Sequence, residues 1–194
     1  MTNNRKNRSR VRWIVTASIW TFFLAIILGF ITQFFVNEIR SIIFSFFILF
    51  IVVILGISFD LIGTAAAAAK VAPLNAKAAR KVEGAKIGVY LVKNAEQVAN
   101  FCNDVAGDIS GIISGTLAAV IVLKIAMTFT FEQAEFYLGI LLTAVVAAFT
   151  VGGKAWGKVI AINNSTEVIM LAGLIIARLQ KPLRWFRQRE NNSG

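Results

Sequence analysis

The chain has 194 residues, of which 57% are hydrophobic and 15% charged, and its formal net charge is +10. A soluble domain carries roughly 25% charged residues, so this composition excludes a soluble enzyme built on a single core and a disordered chain. With no histidine and one cysteine, Cys102, the sequence also excludes a His-ligated metal site and a disulfide scaffold. We therefore predict an all-helical integral membrane protein.

Four apolar stretches are each long enough for a transmembrane helix, which needs about 20 residues. They comprise residues 13–35, 41–61, 105–125 and 136–162. The first stretch lacks the short apolar core and the small-residue cleavage site of a secretory signal peptide, so we expect a helix that is retained. The predicted fold is therefore a bundle of four transmembrane helices.

The basic residues indicate how these helices are oriented. They concentrate in residues 5–12, 70–93 and 178–189, whereas the other two loops contain only Arg40. Basic residues hold loops on the cytoplasmic side, so both termini and the 70–100 segment are predicted to be cytoplasmic. An even number of spans requires the same arrangement. We predict a multi-pass protein of the cell (plasma) membrane.

The same positive charge has a second interpretation, which is binding to nucleic acid. No motif that interleaves aromatic and basic side chains appears in the sequence, so nucleic-acid binding is not favoured. The expected partners are the lipid bilayer and, from the resemblance described below, a second copy of the chain.

The segments outside the spans have mixed polarity. Residues 65–100 predict one or two amphipathic short helices on the cytoplasmic membrane surface, although a solvated helical loop fits the pattern equally well. Residues 163–186 begin with polar residues suited to a helix cap and predict a juxtamembrane helix. Residues 187–194 are expected to be disordered. Residues 1–12 form a basic cytoplasmic N-terminus, and residues 13–40 comprise the first span with its outer loop.

Ionisable side chains inside a membrane span are costly, so each calls for an explanation. Counted from the outer ends of their spans at about 1.5 Å per residue, Asp60, Asp108 and Lys154 all lie roughly 24–29 Å deep. Asp104 precedes Asp108 by four residues and Lys158 follows Lys154 by four, so each pair shares a helix face. Three spans are thus predicted to bring three acids to one inner level, with Lys154 and Lys158 as their charge partners.

Small residues near these charges predict close helix packing. Gly107, Gly111 and Gly115 repeat at a spacing of four, which lets another helix approach closely. Gly153 adjoins Lys154 in the fourth span. The glycine face can serve packing within one chain or between two copies.

Oxygen-bearing side chains at the same level predict a metal site, because hard cations such as Mg²⁺ prefer carboxylate, hydroxyl and amide oxygens. The candidate metal ligands are Ser58, Asp60, Thr64, Asn103, Asp104 and Asp108. Two alternatives remain: the Asp and Lys groups are structural ion pairs, or they reach water near the interface without touching each other. No nucleophile–base pair, phosphate-binding glycine loop or metal-hydrolase motif appears in the sequence, so we predict no enzymatic activity.

Four short motifs follow one another between residues 41 and 186. FDLIGTAAAAAK ends the second span, KNAEQVANFCNDVAGDISG leads into the third, GGKAWGK ends the fourth and RLQKPLRWF closes the series. In this order they resemble the membrane unit of the CNNM/CorC family of divalent-metal transporters. The positions that match the family motifs are Phe59, Thr64, Ala65, Asn94, Glu96, Gly153 and Lys158.

The resemblance implies a homodimeric unit that binds dehydrated Mg²⁺ in a polar, inward-facing cavity. Four substitutions depart from the family: Gly63 and Lys154 replace glutamates, Gly157 replaces a proline, and Asp60 takes a serine position. A lysine in a cation site repels Mg²⁺ unless an aspartate pairs with it. The expected function is therefore binding or transport of a divalent cation. The alternative is a non-transporting scaffold or accessory protein, and a third, weaker interpretation is a small pore-forming or lipid-interacting protein.

Overall fold

The computed structural model describes residues 15–16, 18–23, 25–27, 29–30, 41–127 and 134–191. The described residues are helical and contain no strand, which confirms the prediction of an all-helical fold. The elements, in chain order, are α1 (Ile42–Ala68), α2 (Val71–Ala79), α3 (Ala85–Lys93), α4 (Ala95–Ala99), a π-helical segment (Asn100–Ala106), α5 (Gly107–Ala126), α6 (Ala134–Asn163) and α7 (Ser165–Asn191).

Three helical stretches are long and apolar enough to cross a membrane: Ile42–Ala68, Ala95–Ala126 and Phe136–Asn163. They contain three of the four predicted spans. The predicted first span, 13–35, falls largely outside the described residues, although helical residues occur between 15 and 30. A bundle of four spans and the orientation of the termini therefore stay predictions.

Two helices continue beyond their predicted ends. Helix α1 runs to Ala68 because the alanines that follow Thr64 are the strongest helix formers and nothing in that run breaks the helix. Helix α7 continues to Asn191, into the stretch that was predicted to be disordered. Arginine, glutamine and glutamate, which favour helix, make up much of the sequence there.

The chain divides into two compact units. The first unit comprises Met1–Gly56 and Asp108–Thr150, and the second comprises Ile57–Gly107 and Val151–Gly194. The boundaries fall inside α1, after the first residue of α5, and inside α6. The short helices and α7 belong entirely to the second unit.

The core of the second unit forms where α3 packs against α2 and α7. Helix α3 buries Ala85, Gly88 and Val92, which lie on one face at helical spacing. The buried cluster around it consists of Ala65, Ala66, Leu74, Val92, Ala161 and Ile169. The short helices expected between residues 65 and 100 are present, and their placement at a membrane surface stays a prediction.

Three glycines bring α3 and α7 together backbone to backbone. Gly84 precedes α3 with φ of 84°, a left-handed conformation that glycine adopts without strain, and a Cβ there would lie 2.5 Å from the backbone nitrogen of Leu174. A Cβ at Gly173 would collide with the Gly84 carbonyl oxygen and lie 3.1 Å from the nitrogen of Gly88. We call Gly84, Gly88 and Gly173 the glycine crossing. The glycine crossing lets α7 pack closely against α3.

The predicted glycine face behaves differently. No described atom lies within 4 Å of a Cβ built at Gly111 or Gly115. A Cβ at Gly107 would lie 3.4 Å from the Cys102 carbonyl oxygen and 3.4 Å from Lys154 Nζ. Among the described residues, Gly111 and Gly115 therefore make no close helix contact, and packing between two copies stays a prediction.

Candidate functional site

Within the second unit, α6 approaches α1 through two small residues. A Cβ at Gly153 would collide with the Ile57 side chain, and a Cβ at Gly157 would lie 3.7 Å from atoms of Ile57 and Leu61. Small residues at such a contact let two helix backbones come close. This close approach sets α6, which carries the two predicted lysine partners, beside the turn of α1 that contains Asp60.

Asp60 is the most deeply buried charged side chain of the site, with only 4% of its surface exposed. Its Oδ2 atom has no hydrogen-bond partner among the described residues. Lys158 Nζ lies 3.8 Å from this oxygen, while the Lys158 side chain is 53% exposed. Charge-assisted N–H···O bonds measure about 2.7–2.9 Å. The ammonium therefore attracts the carboxylate without closing a hydrogen bond to it.

A second buried oxygen, from Asn103, lies beside the next turn of α1. Asn103 Oδ1 is also buried without a hydrogen-bond partner among the described residues. A Cβ at Gly63 would collide with this oxygen, so only glycine at position 63 leaves space for the amide. Gly63 follows Asp60 by three residues and lies on the same helix face. The Asp60 carboxylate and the Asn103 amide oxygen therefore lie at adjacent turns on one face of α1.

The π-helical segment Asn100–Ala106 presents Asn103 to α1. A π-helix bonds each residue to the fifth one along and so accommodates an extra residue, and such segments occur frequently at functional sites. The Cβ atoms of Cys102 and of a residue built at Gly63 would be 2.9 Å apart. The widened turn at residues 102 and 103 therefore lies directly against Gly63.

The remaining predicted metal ligands are less buried than Asp60. Ser58, Asp104 and Asp108 are exposed, and Thr64, which follows Gly63, is half-buried. Among the described residues, no three His, Cys, Asp or Glu side chains are placed to hold a metal ion together. Of the six predicted ligands, Asp60 and Asn103 each supply a buried oxygen that has no hydrogen-bond partner in the described part of the chain.

The two predicted charge partners have separate surroundings. Lys158 approaches Asp60, whereas the half-buried Lys154 has its ammonium beside Gly107. Lys154 and Lys158 share a face of α6 and differ by one turn, so the position of that helix along its axis decides which lysine meets the carboxylate.

Sequence reasoning missed two features of the site. One is the π-helical segment, which no pattern in the sequence predicts. The other is the role of Gly63. The motif resemblance describes this position only as the loss of a glutamate, whereas in the structure the absence of a side chain leaves space for the Asn103 amide. The available signal was a glycine inside an apolar helix one turn from an aspartate.

The arrangement joins a carboxylate oxygen, an amide oxygen and an exposed ammonium group. Carboxylate and amide oxygens are ligands of hard cations, and the ammonium group supplies the compensating charge.

Comparisons with protein-family models, with curated proteins and with solved structures find no match to this chain. The resemblance to the CNNM/CorC family therefore stays a prediction.

Proposed function

We propose that the protein is a membrane protein that binds and transports a divalent cation, with Mg²⁺ as the cargo, through a polar site around Asp60 and Asn103. The observation that carries the proposal is the pair of buried oxygens without hydrogen-bond partners. Most buried polar atoms in proteins are hydrogen-bonded, and an unpaired one calls for a ligand, an ion or a water molecule. A carboxylate and an amide oxygen on adjacent turns favour a cation.

The small number of protein ligands suits Mg²⁺ in particular. Mg²⁺ gives up its water reluctantly and is commonly held by one or two carboxylates while it keeps several waters. Asp60 provides one carboxylate, and the half-buried Thr64 lies one residue beyond Gly63. The motif resemblance to CNNM/CorC transporters, which carries Thr64 and Lys158 among its matched positions, points to the same cargo.

The membrane setting of this proposal depends on the three helices that are long and apolar enough to span a bilayer. The basic segment 70–93 follows α1, and the positive-inside rule puts it on the cytoplasmic side. The Asp60 site then belongs to the cytoplasmic half of the bundle, and the cation reaches it from the cytoplasm. Homodimer formation belongs to the same proposal, on the resemblance alone.

A second candidate function has its own supporting observation. The contact between Lys158 and Asp60 is what a scaffold or accessory protein would use to join α6 to α1. A structural pair between Lys158 and Asp60, however, leaves the buried Asn103 amide oxygen without a role. This oxygen, which has no hydrogen-bond partner among the described residues, favours the cation site over the scaffold.

The proposal is tested by thermal unfolding of the purified protein in detergent with increasing MgCl₂. A ligand that binds only the folded state at ten times its Kd stabilises it by about 1.4 kcal/mol. We expect the wild-type Tm to rise with millimolar MgCl₂ and not with NaCl of equal ionic strength. Asp60→Asn removes the carboxylate and should abolish the rise.

The matched control is Asp104→Asn, which makes the same chemical change at an exposed position. We expect this variant to respond to MgCl₂ as the wild type does. A loss of the response in Asp104→Asn would restore the larger ligand set predicted from the sequence. A wild-type Tm that ignores Mg²⁺, Mn²⁺ and Ca²⁺ would refute the cation-binding proposal and leave the scaffold.

A further inference from the structure

The ion pair at Asp60 is asymmetric in exposure. The carboxylate is almost completely buried, whereas the Lys158 side chain is about half exposed. The ammonium therefore reaches the carboxylate from the exposed side of the site. Its distance of 3.8 Å from Oδ2 is within the range of electrostatic attraction but too long for a hydrogen bond, so the contact can be released without breaking one.

The lysine side chain has the properties of a reversible occupant. Four flexible carbons carry a compact, strongly hydrated charge, so the ammonium can move into water without movement of the α6 backbone. While it stays near Asp60, it compensates a carboxylate that would otherwise be buried with no opposite charge. A divalent cation at the same oxygen would repel the ammonium at close range.

We propose that the Lys158 ammonium is a tethered cation that occupies Asp60 in the ion-free protein and is displaced when the transported cation binds. The inference rests on the proposed function, because it specifies how that site exchanges its charge. Cation entry and ammonium departure are then one event, and the carboxylate remains paired throughout. Lys158 is in this sense a specificity residue, since only a cation that outcompetes a tethered ammonium enters the site.

The competition lowers the apparent affinity for the cation. The apparent Kd equals the intrinsic Kd divided by the fraction of molecules in which the site is open. If the ammonium occupies the carboxylate in about nine of ten molecules, its removal raises the apparent affinity about tenfold. The effect is specific to position 158 because the Lys154 ammonium lies beside Gly107.

The test compares Lys158→Gln with Lys154→Gln in a titration of the purified protein with MgCl₂, followed by isothermal calorimetry and by Tm. Both variants lose one positive charge from the same helix, so a general electrostatic effect would strengthen binding alike in both. We expect the apparent Kd of Lys158→Gln to fall about tenfold and that of Lys154→Gln to change less than about twofold. An unchanged or weaker affinity in Lys158→Gln would overturn the inference.

A second measurement does not depend on how the variants fold. Wild-type protein is labelled briefly with an amine-reactive ester, with and without saturating MgCl₂, and the modification at each lysine is quantified by mass spectrometry. We expect labelling of Lys158 to increase severalfold with Mg²⁺ while that of Lys154 stays constant. Equal labelling of Lys158 in both conditions would overturn the inference.

The two proposals fail in different ways. If neither the wild type nor Lys158→Gln binds a cation, the proposed function is wrong and the inference falls with it. If the wild type binds Mg²⁺ and Lys158→Gln binds it with the same affinity, only the inference is wrong. Binding that appears only in Lys158→Gln would overturn both, because the wild-type lysine would then hold the site closed against the cation instead of being displaced by it.

Discussion

Both units of the molecule carry glycines at a spacing of four, and only in the second unit do these glycines make close contact within the chain. At the glycine crossing of the second unit, Gly84 and Gly88 meet Gly173 backbone to backbone. In the first unit, Gly111 and Gly115 have no described atom within 4 Å of an added Cβ. The spacing permits close approach of another helix, but it does not by itself show that such a contact forms within the chain.

The largest effect is expected from breaking the glycine crossing with Gly84→Val. The new side chain would need a left-handed backbone, which β-branched residues resist, and its Cβ would overlap the backbone at Leu174. We expect a loss of about 3 kcal/mol or more, since overpacking and backbone strain act together. The measurement is the Tm of the purified protein. An unchanged Tm would mean that α3 and α7 do not cross closely.

An intermediate effect is expected from Gly63→Ala, which fills the space beside Asn103. The methyl group would displace the amide at a cost of about 1–3 kcal/mol, and the shift of Asn103 should also abolish stabilisation by Mg²⁺. The double variant Gly63→Ala/Asn103→Ala is the control for space, because it removes the colliding amide and leaves only the Cys102 Cβ, 2.9 Å from the new methyl group. It should recover part of the Tm without recovering the Mg²⁺ response. A Mg²⁺ response in either variant would remove Asn103 from the site.

The smallest effect is expected from Gly111→Ala and Gly115→Ala. With open space around both positions, the methyl groups meet nothing in the described chain, and alanine favours helix over glycine by about 1 kcal/mol. The Tm should therefore stay constant or rise slightly. The same variants sharpen the comparison when the bulkier Gly111→Leu is analysed for oligomeric state. A shift from dimer to monomer would show that this face belongs to a contact between copies.

The sequence predicted the long helices well because continuous apolar stretches determine them. The predicted span 136–162 matches the helix Phe136–Asn163 closely, and the span 41–61 lies within α1 apart from its first residue. Helix α1 continues beyond the predicted span because the polar residues around Asp60 end the apolar stretch without ending the helix. The alanines that follow carry no membrane signal but form helix readily.

The candidate site was predictable in depth and charge but not in its contacts. Counting residues placed Asp60 and the lysines of α6 at one level, and the structure pairs Asp60 with Lys158. The choice between Lys154 and Lys158 depends on the position of α6 along its axis relative to α1, where Gly153 and Gly157 pack on Ile57 and Leu61. Such a position depends on tertiary contacts, which a residue count along one span does not contain.

The contact between the Asn103 amide and Gly63 limits which substitutions the two positions can accept. Any side chain at position 63 occupies the volume of the amide, so a glutamate there, as in the family motif, would itself deliver an oxygen and exclude the asparagine. The sizes of the residues at positions 63 and 103 are therefore coupled, so that one is large when the other is small. Homologous chains should exchange the two together, and a chain with bulky residues at both positions should have lost this helix contact.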